Sequence, residues 1–125
     1  MSREAEVRYH ADQEISKGFP QLLDKARQAE AIVRDLRAAA ADEIELLAAG
    51  RAFDVALTEA LRAAEAGQRA TFGVRSYDDR IARRKAKATP PGALWTAEVD
   101  RLRTLREENR MWGIPGVPRP VPATA

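Results

Sequence analysis

His10, Asp12 and Glu14 form the one stretch of this chain where an imidazole and carboxylates stand close together. On a helix His10 and Glu14 share a face, the spacing at which a carboxylate can orient a histidine as a general base. The segment around them is polar on nearly every side, which points to solvated side chains rather than a catalytic pair. His10 is the single histidine, so a metal site of two or more imidazoles cannot be built within one chain. With no cysteine there is neither a disulfide nor a thiolate ligand. The other acidic groups, Asp42-Glu43-Glu45, Asp78-Asp79 and Glu107-Glu108, lie on helical segments that also carry arginines, and read as solvated ladders. There is no glycine-rich phosphate loop and no serine nucleophile beside a base. The expectation is a protein that is not an enzyme, with no cofactor, no metal and no small-molecule substrate.

The chemistry the sequence does offer is electrostatic. Arg80, Arg83, Arg84, Lys85 and Lys87 place five cations in the eight residues "RIARRKAK". On a helix, positions 80, 83, 84 and 87 share a face that could neutralise several phosphates without reading sequence. The competing account is a solvated helix end, where the dipole favours cations and Asp79 pairs with Arg83. A basic-region zipper fits Leu102, Leu105 and Asn109 to core heptad positions, but Pro90, Pro91 and Gly92 cut the continuous helix it needs. A helix-turn-helix around "ATFGVRSYDDRIARR" also fits poorly: the alanine stands one position too close to Gly73, and Gly67 breaks the helix leading into the turn.

Aromatic residues supply the second candidate surface. Trp95, Val99, Leu102, Leu105 and Trp112 fall on one side of a last helix, which either buries them in the chain's own core or offers them to a protein partner. Pro115 and Pro118, at PxxP spacing in "IPGVPRPVP", extend that surface as a segment able to lie in an aromatic groove.

The elements that must position these groups are all helical. Ala, Leu, Arg and Glu dominate and β-branched residues are few, a mix that favours helix, although a GC-rich coding sequence would also raise arginine. The predicted fold is all-α: a long helical hairpin, two shorter helices, and an extended Pro-rich C-terminal tail. A loosely attached N-terminal helix covers 1–17 with Ser2 as its cap, and Gly18 and Pro20 punctuate the next start. The hairpin covers 20–67. Its first arm runs from Pro20 to Ala49 on the stripe Leu22, Ala26, Ala29, Val33, Leu36, Ala40 and Leu47, a length of about 45 Å. Gly50 ends that arm, and a shorter helix continues through Phe53, Leu57, Ala60, Leu61 and Ala64 to Gly67. A loop over 67–76 follows, with Phe72 and Val74 docking on the hairpin. Ser76 and Asp79 resemble a capping box that opens the basic helix 77–88. "TPPG" terminates it, and the amphipathic helix 94–111 precedes the tail 112–125. Together 1–111 make a single helical domain.

Charge is segregated along the chain. Residues 1–67 carry nine Lys and Arg against thirteen Asp and Glu, a balance of −4, while residues 68–125 carry twelve against six, a balance of +6. Such polarity orients acidic partners at one end and favours contact between copies. No apolar run has membrane-spanning length and no signal-peptide pattern opens the chain, so a cytoplasmic protein or part of a soluble assembly is expected, with no membrane contact. The expected function is a helical assembly or adaptor subunit acting by protein contact or self-association in a larger complex. Virion-type or mobile-element assembly is an analogy of architecture. The alternative is sequence-independent nucleic-acid binding through the basic helix 80–87.

Overall fold

The computed structural model of the chain describes residues 2–113, and among these it is all-α, without a strand. The helices are α1 (Arg3–Ser16), α2 (Phe19–Ala38), α3 (Glu43–Phe72), α4 (Arg80–Lys87) and α5 (Pro90–Trp112), with a 3₁₀ turn at Val74–Tyr77. Helix α3 is the hub: α2 and α5 pack along it, and α1 lies against it as well. The core joins Ala26 and Val33 of α2, Phe53, Leu57, Ala60, Leu61 and Ala64 of α3, and Val99 and Leu102 of α5. Alanines at the crossing let the axes approach closely, while Leu57, Val99 and Leu102, all fully buried, each contribute about 1.5–3 kcal/mol of apolar burial.

The hairpin turns in a different place from the one predicted. Helix α2 stops at Ala38 and α3 begins at Glu43, so the break falls at 39–42 rather than at Gly50. Asp42 causes it: its carboxylate accepts the Glu45 backbone N–H at 2.8 Å and caps the new helix. Ala40 crosses the turn at a φ of 52°, left-handed for a residue with a Cβ. Gly50 and Gly67, expected to end helices, lie inside α3, each facing α5, and Gly67 is a notch for it. The Asn109 amide donates to the Gly50 carbonyl at 2.9 Å. A Cβ at Gly67 would come within 2.6 Å of the Trp95 ring.

Three further boundaries differ from expectation. Residues 67–72 belong to α3, so the predicted loop shrinks to Gly73, whose φ of 90° suits glycine alone, and the 3₁₀ turn. The basic helix starts at Arg80, not Tyr77, because Asp79 is the cap, accepting from the Ile81 and Ala82 N–H groups, while the Ser76 hydroxyl donates to the Gly73 carbonyl. Thr89 caps α5 with Pro90 and Pro91 in its first turn, so the helix opens at Pro90 instead of Leu94. Here Gly92 sits against the Ala86 carbonyl, where a Cβ would collide, and that contact folds α4 tightly onto the start of α5. Of the predicted tail 112–125, Trp112 closes α5 and residues 114–125 lie outside the described residues. Among the described residues no helix is long and apolar enough to cross a membrane.

Candidate interaction surfaces

Helix α5 directs its apolar face into the chain's own interior. Val99 and Leu102 are fully buried, and neither is available to a partner. Trp95 is half-buried, edge-on to Phe19 at 5.4 Å and laid over Gly67, and Leu105 packs against the same core. Trp112 is half-buried with the Arg37 guanidinium 3.7 Å above its ring. Pro115 and Pro118 lie outside the described residues.

The five cations of α4 face solvent. Arg80, Arg83, Arg84, Lys85 and Lys87 are all exposed, and no residue of α4 is buried. Among the described residues none of the five forms an ion pair, although Arg34, Arg69, Arg101, Arg103 and Arg110 all do so elsewhere in the chain. The cause is local. Asp79, expected to pair with Arg83, is committed to capping α4, and the Asp78 carboxylate accepts from the Ser2 hydroxyl at 2.9 Å. Arg83 donates instead to the Ser76 carbonyl at 3.1 Å, which fixes one cation on the surface. The charges therefore stand as a local field that only screening ions or a partner can offset.

The N-terminal helix, predicted to be loosely held, has a buried ionic anchor. Both carboxylate oxygens of Asp12 accept from Arg69 of α3, at 2.9 and 3.0 Å, and the Tyr77 hydroxyl donates to the same carboxylate at 2.6 Å. Arg8 lies 5.4 Å over the Tyr77 ring. The large apolar side chains Val7 and Ile15 are exposed, while Ala5 and Asp12 are buried. The line Ala5, Tyr9, Asp12 and Ser16 at steps of four, three and four was the available signal. His10, Asp12 and Glu14 are not brought together: Asp12 faces inward, whereas His10 is exposed beside Gln13 and Glu14 beside Lys17. Among the described residues no group of three or more His, Asp or Glu side chains gathers to hold a metal ion.

Leu47, expected on the apolar stripe of the hairpin's first arm, instead belongs to an exposed surface along the first half of α3. Ile44, Val55 and Leu47 expose 81%, 59% and 38% of their surface, with Ala48 and Arg51 exposed between them. They adjoin an open-sided cavity of about 780 Å³ between the end of α2, this half of α3 and the end of α5. Leu46, Leu47, Val55 and Trp112 supply its apolar wall, and Asn109, whose side-chain oxygen is buried without a hydrogen-bond partner, stands at its edge.

Comparison of the chain with protein-family models, with curated proteins and with solved structures finds no match.

Proposed function

We propose that this chain is a non-enzymatic helical docking subunit that acts by protein contact through the outer face of α3. One observation carries the reading: large apolar side chains at Ile44 and Val55 stand exposed on the side of the hub helix opposite its core face, with the half-exposed Leu47 on the flank beside them. Scattered exposed apolar residues are ordinary, but a row of them on one helix face is the usual mark of an interface. The aromatic face of α5, the surface expected from sequence, does not serve, since its central residues are interior. Size-exclusion chromatography with light scattering tests the proposal. The wild type should run above monomer mass or carry a protein partner, and Ile44→Asp with Val55→Asp should abolish this at unchanged helix content. A chain that stays monomeric up to about 1 mM and recruits nothing, or a double variant indistinguishable from wild type, rules it out.

A second reading is favoured by the unpaired cations of α4, which fit a phosphate polymer bound without sequence preference. Four contacts, from Arg80, Arg83, Arg84 and Lys87, predict a log–log salt slope of about −3.6 on duplex DNA, and about −2.8 on a single strand. Replacing the four by glutamine should flatten the slope to near zero. Binding that ignores salt, or survives the replacement, excludes this reading.

A further inference from the structure

We infer that the bare face of α3 pairs with the same face of a second copy of this chain, the two helices running antiparallel. The inference rests on the docking reading above and names its occupant. Its first support is the line of residues along α3. Arg69 meets α1 through Asp12, and steps back of seven, seven, four and seven residues reach Arg62, Val55, Arg51 and Ile44 on the same side. All four are exposed, so among the described residues this line has an intramolecular partner at its C-terminal end and none over its N-terminal half. Helix α1 is 14 residues long against 30 for α3, or about 21 against 45 Å, and cannot cover both halves.

The second support is the charge order, which, once Asp54 is set aside as the partner of Arg110, is complementary to its own reverse. Glu43 and Glu45 stand in the first turn of α3 and Arg51 stands in the middle of the apolar block. Among the described residues none of the three makes an ion pair. A parallel pair would set Arg51 on Arg51 and acidic first turn on acidic first turn, with the helix dipoles aligned. The antiparallel pair, with the block from Ile44 to Val55 overlapping itself, sets Ile44 against Val55 of the partner copy and Ala48 against Arg51. Arg51 then reaches toward the first-turn carboxylates of the other chain, and the small side chains of Ala48 and Ala52 let the axes approach. A block about 17 Å long is smaller than a standard interface, so the pair is reversible and forms at tens to hundreds of micromolar, at roughly the weak end of specific contacts.

The chain has no cysteine, which makes the register directly testable. Two variants are made, Ile44→Cys and Val55→Cys, both at exposed positions where the fold has no need of the side chain. Under mild oxidation each alone should stay largely uncross-linked, while a mixture should give the mixed disulfide as its main product. Sedimentation equilibrium up to about 1 mM, the range a small interface requires, should show a dimer. Arg51→Glu should weaken it about tenfold, and mixing that variant with Glu43→Arg/Glu45→Arg should restore association. Disulfides between like positions, 44 to 44 and 55 to 55, would mean a parallel pair and overturn the inference. A wild type that stays monomeric and gives no mixed disulfide overturns self-pairing. If a protein partner is then lost on Ile44→Asp, the docking reading stands without it; if nothing depends on Ile44, both fall.

Discussion

At Asp12 a carboxylate that is almost fully buried holds two elements to a third, because Arg69 grips both its oxygens and Tyr77 adds a third hydrogen bond. Burial by itself raises the Asp12 pKa; the bonds from Arg69 and Tyr77, with the charges of Arg69 and Arg8, outweigh it and bring the pKa below the ordinary 3.8. Asp12→Asn should cost about 2 kcal/mol in urea unfolding, since Arg69 can rehydrate but Tyr77 loses a charged acceptor. The depressed pKa gives this contribution a sign in pH: it is complete above the unfolded value and is lost as pH falls through the lower folded one. The gap between wild type and Asp12→Asn should therefore be constant near neutrality and close below about pH 4. Tyr77 works the other way. Burial first, then Asp12, raises its phenol pKa far above the usual 10.0, so its contribution is intact below pH 10 and fades above it, a limb that Tyr77→Phe should remove. None of this follows from apolar patterning, because a paired buried acid looks in sequence like any solvated one.

Among the elements, the join between α2 and α3 shows where a helix ends and why. Asp42 followed by Glu45 has the spacing of a capping pair, and that local hydrogen-bonding preference outweighs the unbroken alanine run leading into it. Ala40 holds a left-handed conformation that costs a residue with a Cβ about 1 kcal/mol, which glycine avoids. Ala40→Gly should accordingly raise the urea midpoint by an amount equivalent to several tenths to 1 kcal/mol, without changing the slope of the transition. Helix class, the stripe through Ala26 and Val33, the Ser2 cap and the basic helix were legible because each depends on neighbours within a turn or two. Gly50 and Gly67 read as helix ends in sequence because their partners on α5, Asn109 and Trp95, lie about sixty and thirty residues away in the chain. The direction of the Trp95–Leu102 face was left open for the same reason: amphipathicity marks a face to be buried and is silent on whether the cover is intramolecular.

On the scale of the whole molecule, the layout is radial, with α3 at the centre and its neighbours arranged around it. Helix α4 is the exception, since it contributes no buried residue and is held by its caps, Arg83 and the Gly92 contact. Its local opening should therefore need far less free energy than the unfolding of α3 or α5. All five of its cations are trypsin sites, so limited digestion should cut between Arg80 and Lys87 before any of the four arginines of the packed α5, with mass spectrometry locating the first cut. The two pieces should then elute together under native conditions, because α5 stays bound to α3 through Val99 and Leu102, the Asn109–Gly50 hydrogen bond and the Arg103–Glu65 and Arg110–Asp54 pairs. Helix α5 thus behaves as a subunit covalently tethered to its own binding site. The tether is the basic helix itself, so proteolysis at α4 would divide the chain in two while leaving its core assembled.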